Sequence, residues 1–207
     1  MSEKQRTIKD QVSISGVGLH TGNEVVITFK PAPENYGYKF RRTDLNTGTL
    51  VDVDVDHVVD TSRGTSIEQD GVRIDTIEHV MAALAGLQID NALIEMNQSE
   101  TPILDGSTRE YVEALTSVGI VEQKALRTYY EITSNITYVN PEKKVEIIAI
   151  PSTDFRVSVM IDYESKVLQS QNAYLENISQ FRKEFATCRT FVFLHELEYL
   201  VNNNLIK

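Results

Sequence analysis

Apolar and polar residues alternate between Val12 and Phe29 on either side of a glycine-bearing stretch, with Val25, Ile27 and Phe29 on one face. A period of two predicts a pair of strands joined as a hairpin. The run Leu50-Val51-Asp52-Val53-Asp54-Val55-Asp56 alternates in the same way, its carboxylates all on one side. It lacks the glycine and closing glutamate of a calcium loop, so it reads as a strand with a solvated face. At Asp75 the period lengthens. Ile77, Val80, Met81 and Leu84 recur at helical spacing and Gly86 supplies a stop, which predicts a helix opened by Asp75. A short strand over Ala92 to Met96 follows. A second helix is expected from Ser107, where Ser107-Thr108-Arg109-Glu110 has the form of a capping box and Tyr111, Val112, Leu115 and Val118 make the apolar stripe before Gly119.

From Tyr129 the strand pattern restarts. Tyr130, Ile132, Ile136 and Tyr138, then Val145 to Ile150, then Phe155 to Ile161 read as three strands ahead of a helical stretch around Ile178 to Ala186. The restart predicts two domains, 1–125 and 126–207, with the joint in Gln123 to Thr128. In the first half, strands then helices with one more strand between them suggest a sheet covered on one face. The second domain has one helix pattern and part of another before Asn202-Asn203-Asn204-Leu205-Ile206-Lys207, and is expected to be incomplete.

Composition narrows the function. A net charge of −10 opposes binding to nucleic acid, whose affinity for proteins comes mainly from phosphate neutralisation by Lys and Arg. A small phosphorylated ligand needs only a few local cations and stays open. The polar start lacks the apolar core of a signal peptide, and no stretch approaches the roughly 20 apolar residues of a spanning helix. A cytoplasmic protein without stable membrane insertion is expected. The single cysteine, Cys188, excludes an intramolecular disulfide and a thiolate cage, so a metal would have to use His, Asp or Glu. Only His20, His57, His79 and His195 are available as imidazoles.

Glu78 and His79 carry the sharpest chemical signal. At about 100° per residue they point away from the stripe of their own helix, towards Ala82, Ala83 and Ala85. A solvated face carries lysines and glutamates, so alanines there predict a covered surface or a cleft. Two readings of the pair stand side by side. Glu78 could reach back to Asp75 in a partial capping box and His79 could be a hydrogen-bonded interior histidine. Alternatively, neutral imidazole binds zinc, the ion brings its water to a pKa of about 7, and the adjacent carboxylate takes the proton as that water attacks a carbonyl. The metalloprotease order His-Glu-x-x-His is absent. Gly16, Gly18 and Gly22 do not make a dinucleotide loop, since the third glycine is misplaced and a strand follows. His57 reads as exposed, His195 as a packed or surface-tipped histidine whose neighbour Glu198 could share a metal with it, and Asp105 as a turn residue.

Six collinear segments resemble the UDP-3-O-acyl-N-acetylglucosamine deacetylase family, the zinc enzymes of the committed step of lipid A synthesis. They are Gly16-Val17-Gly18-Leu19-His20-Thr21-Gly22, Pro31-Ala32-Pro33, Arg41-Arg42-Thr43-Asp44, Thr76-Ile77-Glu78-His79 through Gly86, Pro102 to Ser107, and Arg189-Thr190-Phe191. The resemblance implies two α+β domains of similar topology with the active site between them. It implies His79 as a zinc ligand, Glu78 as general base, Thr190 as a stabiliser of the oxyanion, and Phe191 along the sugar of an acylated UDP-N-acetylglucosamine substrate. Phe191 to Leu205 would begin the passage for the acyl chain, and Lys143 or Lys144 would meet the diphosphate. The family's other zinc ligands, in a His-Lys-x-x-x-Asp helix, and its general-acid histidine are expected beyond Lys207, which makes the 207 residues a partial and inactive enzyme. Cys188 and Val192 stand where the family usually has Ala and Gly, and in some bacteria the family is fused to a hydroxyacyl-carrier-protein dehydratase. A non-catalytic module binding a nucleotide sugar or an acyl chain is the alternative.

Overall fold

The structure, a computed structural model, describes residues 3–203 and 206, with the side chain of His195 outside the described set. In chain order the elements are β1 (Lys4–Ile8), β2 (Val12–Val17), β3 (Glu24–Pro31), β4 (Tyr38–Arg42), β5 (Leu50–Asp52), β6 (Val58–Asp60), β7 (Ser66–Gln69), β8 (Val72–Ile74), α1 (Glu78–Gly86), β9 (Ala92–Met96), α2 (Arg109–Ser117), β10 (Ile120–Leu126), β11 (Ile136–Asn140), β12 (Val145–Ala149), β13 (Val157–Asp162), β14 (Ser170–Leu175) and α3 (Leu194–Asn202). The fold is α+β. Among the described residues no helix is long and apolar enough to cross a membrane.

The chain divides into two compact units, Met1–Leu126 with Phe181–Lys207, and Arg127–Gln180. The residues after Gln180 cluster with the first unit. Their attachment is physical: Ala186 is buried, its carbonyl accepts a hydrogen bond from Thr108 Oγ1 at 3.1 Å, and the Phe181 ring lies against Gly86.

In the first unit five strands run in the order β2-β3-β9-β4-β5, antiparallel except for the parallel pair β4 and β9. Val25, Ile27 and Phe29 of β3 point inward, as their alternation requires, and Ile94 and Phe40 extend the same layer. Val80, Ala83 and Leu84 of α1 and Tyr111, Val112 and Leu115 of α2 belong to one core with them. Phe29 and Tyr111 meet edge to face at 6.1 Å between ring centres. Burying such a set removes about 1.5–3 kcal/mol of unfavourable hydration per large apolar side chain.

Two expected features change form. The Leu50–Asp56 run is a strand only to Asp52. Asp54 then accepts a hydrogen bond from the Asp56 amide at 3.0 Å and starts a 3₁₀ turn over Val55–His57, which leaves Val55 exposed. The Ser107 capping box does not close on Glu110. Ser107 Oγ instead accepts from the Arg109 amide at 3.2 Å and donates to Asp105 at 2.6 Å, so the preceding turn starts α2. In the second unit β11 pairs with β12 and β13 with β14, each pair antiparallel. The helical stretch expected around Ile178 to Ala186 is a 3₁₀ turn at Ile178–Gln180 followed by one π-type turn at Phe181–Phe185.

Candidate active site

Thr76, immediately ahead of α1, holds a left-handed backbone with φ of 59°. Asp75 sits in an extended bridge opposite Glu100, its amide donating to Ser99 O at 2.7 Å and its carbonyl accepting from Thr101 N at 3.1 Å. That leaves Asp75 unable to cap the helix. Its carboxylate accepts from Ser66 Oγ and Arg73 Nε, both at 2.7 Å. The helix therefore starts at Glu78, without a side-chain cap, and the Asp75–Glu78 capping box is not formed. Glu78 reaches across to the loop before β7, where Oε2 accepts from the Thr65 amide at 2.8 Å. An acidic side chain at this first turn is favoured by the helix dipole.

His79 follows directly, and both side chains are half-buried. The alanine side of the helix is covered unevenly: Ala83 is buried, Ala82 half-buried and Ala85 exposed. Part of the cover at the far end of α1 comes from Phe181, packed on Gly86.

A residue that sequence reasoning passed over anchors the glycine loop beside this helix start. Glu100 is 1% exposed, yet its carboxylate accepts from the amides of His20 at 3.0 Å and Thr21 at 2.8 Å, from Thr21 Oγ1 at 2.8 Å and from Thr76 Oγ1 at 3.3 Å. A buried carboxylate is tolerated only when so many donors converge on it. Gly18 is buried against it, with no room for a Cβ between Glu100 and Thr21. Within the 16–22 segment, Gly18 thus serves close packing on a carboxylate, Gly16 packs against Pro102 and Leu104, and Gly22 takes a left-handed backbone (φ 69°). A cavity of about 330 Å³ opens here, lined by Thr21, Gly64, Arg73, Asp75, Thr76 and Glu100 among others. Gly64, one of its lining residues, lies against the Glu78 carboxylate, while Glu78 and His79 do not themselves line the cavity. The sequence signal for Glu100 was available only as Ser-Glu-Thr-Pro in a loop, which carries no periodicity.

Thr190 and Phe191 lie in the first unit with Glu78 and His79. The Thr190 amide donates to Gly106 O at 2.9 Å, and Phe191 is 58% exposed with its ring edge-on to Phe193 at 5.7 Å. The apolar run that starts at Phe191 includes α3, whose Leu194, Tyr199 and Val201 are exposed; Asn204 and Leu205 of that run lie outside the described residues. Lys143 sits in the second unit, exposed in the β11–β12 turn, with its amide on Asn140 Oδ1 at 3.0 Å. The ammonium of its neighbour Lys144 is paired with Glu164. His57 Nδ1 lies 3.0 Å from Asp52 O and is half-buried rather than exposed. Among the described residues no group of three or more His, Cys, Asp or Glu converges as a metal site. His79 fits a zinc ion as one nitrogen donor, and the described residues do not complete the set.

A family profile described as LpxC, UDP-3-O-acyl N-acetylglycosamine deacetylase, matches residues 5–207. The chain is 49% identical over 204 residues to a protein of Chlorobaculum tepidum named bifunctional enzyme LpxC/FabZ, a match covering 98% of this chain and 44% of that one. It is 45% identical over 205 residues to the UDP-3-O-acyl-N-acetylglucosamine deacetylase of Shewanella halifaxensis, covering 97% and 66%. With the protein of that name from Saccharophagus degradans it shares 42% identity over 207 residues, covering 99% and 68%. The chain thus spans less than half the length of the bifunctional relatives and about two thirds of the single-function ones.

Proposed function

Because this chain belongs to the UDP-3-O-acyl N-acetylglycosamine deacetylase family, we propose that Glu78 and His79 are the reacting pair of a zinc-dependent deacetylase that removes the acetyl group of an acylated UDP-N-acetylglucosamine in lipid A synthesis. The observation that carries this reading is the release of Glu78 from any capping role. Its carboxylate is held by Thr65 N and lies against Gly64, a residue lining a cavity, with the half-buried His79 next in the chain.

In this reading Glu78 takes the proton of the attacking water, and its bond to Thr65 fixes the carboxylate before substrate arrives. His79 offers one imidazole nitrogen to zinc. Bound zinc supplies a water of pKa about 7 and polarises the acetamide carbonyl. Thr190 donates to the oxyanion as it develops. Phe191 presents an exposed ring to the sugar. In the same reading the remaining zinc ligands belong to the part of the family's sequence that follows this segment, so the 207 residues alone should hold the ion weakly and turn nothing over. The same reading assigns the protein to the cytoplasm and leaves nucleic acid aside, in line with the charge of −10.

Glu78→Gln in a full-length form of the protein is expected to lower kcat by about 10²–10⁴ with substrate binding retained. A kcat within twofold of wild type would remove Glu78 as the base. On the 207-residue chain, stoichiometric tight zinc together with acetate release would overturn the partial-site assignment. A full-length protein that binds the UDP-sugar and releases no acetate would favour the binding-module alternative.

A further inference from the structure

One nine-residue segment, Ser99 to Ser107, touches both sets of residues assigned to the reaction. At its start Glu100 and Thr101 fasten Thr76, two residues before Glu78: Glu100 accepts from Thr76 Oγ1, and Thr101 Oγ1 donates to Thr76 O at 2.6 Å. At its end the chain turns tightly, with left-handed backbone at Leu104 (φ 53°) and Gly106 (φ 81°), and Gly106 N donates to Ile103 O at 3.0 Å. This turn exposes the Gly106 carbonyl to the Thr190 amide, 2.9 Å away. A side chain at Gly106 would be strained by the backbone and would face Thr190 Cγ2.

Asp105 holds the turn in that form. One oxygen accepts from Ser107 N at 3.0 Å and Ser107 Oγ at 2.6 Å, and the other from Arg109 at 2.9 Å and Arg189 at 3.3 Å. Both oxygens are thus occupied by donors from two chain segments, and Arg189 is the residue before Thr190. Arg189 is well exposed, so its ion pair contributes little to global stability. Its effect is on geometry: with the Gly106–Thr190 bond it fixes two consecutive residues of the 181–190 segment to one turn.

We propose that the Asp105–Gly106 turn is a positioning element for the reaction, aligning Thr190 through Arg189 and the Gly106 carbonyl and registering it, along the Ser99–Ser107 segment, to the helix start that carries Glu78. The inference rests on the deacetylase reading given above. Asp105 touches no substrate; it acts through Thr190.

Two measurements test this. In the 207-residue chain the Thr190 amide should be protected from hydrogen exchange, and Asp105→Asn should remove most of that protection while leaving the amides of β3 and β9 unchanged. A Thr190 amide that exchanges freely in the wild type overturns the inference without any reference to activity. In a full-length, turning-over form, Asp105→Asn should lower kcat about tenfold with KM within twofold, since small misplacements of a reacting group are costly. The same substitution in a Thr190→Ala background should cost less than twofold, because its route of action is gone. A general structural role would lower kcat equally in both backgrounds, and that additive result overturns the inference while the deacetylase reading stands. A full-length wild type without turnover brings down that reading, and the inference with it.

Discussion

Tyr111 joins packing and polarity in a single side chain. Its ring is fully buried against Phe29 and its hydroxyl donates to Pro102 O, at the start of the turn that leads to Asp105. Burial pushes the hydroxyl's pKa well above its usual value, so it stays a donor at any working pH. Tyr111→Phe keeps the ring and orphans the Pro102 carbonyl. It should cost about 1–3 kcal/mol in urea unfolding. Asp105 gives a pH prediction of definite sign. Its bonds from Ser107 hold the carboxyl below the ordinary aspartate value, with Arg109 and Arg189 adding to this and burial opposing it. A depressed folded pKa means the stabilisation is complete above the unfolded value of about 3.9 and is lost as pH falls through the folded one. An NMR titration of the Asp105 carboxyl should place its midpoint below that of free aspartate, and the 181–190 segment should loosen only in that acid range. A midpoint at or above 4 would contradict the turn geometry.

At the scale of elements, the contact between α1 and Phe181 makes a prediction in which two effects compete. Replacing a helical glycine by alanine gains about 1 kcal/mol of propensity, whereas a Cβ at position 86 would fall on the Phe181 ring. Overpacking of this kind costs about 1–3 kcal/mol, so Gly86→Ala should destabilise the wild type. In a Phe181→Ala background the same change should stabilise. Thermal or urea unfolding of the four proteins decides it. The sequence made α1, α2, β2, β3 and β9 legible because their buried faces are apolar at a regular period. It hid β1 and β10, which pair along Ile8 and Ile120 but carry a polar network: Gln5 is 6% exposed, and the Asn91 amide donates to both Gln5 and Gln123. Buried hydrogen-bonded glutamines read as surface when only hydrophobicity is counted. At the site, helical phase turned Glu78 and His79 away from their helix's apolar stripe, and both are half-buried. Glu100 was not legible, since a buried carboxylate is recognisable only from the donors that the fold brings to it.

Across the whole molecule, burial is unequal. The first unit contains a continuous core, whereas the β11–β12 and β13–β14 pairs expose Ile136, Tyr138, Ile147, Val159 and Met160. Two-stranded hairpins with bare apolar faces are marginal alone. Hydrogen exchange of the 207-residue chain should therefore show the amides of β11 to β14 opening well before those of β3 and β9, and equal protection would contradict this division. The division of the chain also bears on how it is made. The first unit is discontinuous: β1 pairs with β10, more than a hundred residues later, and Phe181 and Ala186 complete its packing only after the whole of Arg127–Gln180 has been added. At roughly 5–20 residues per second, a ribosome needs about 3–11 s to travel from Leu126 to Phe181. Throughout that interval Gly86 and the end of α1 stand uncovered on the nascent chain, where a chaperone can reach them.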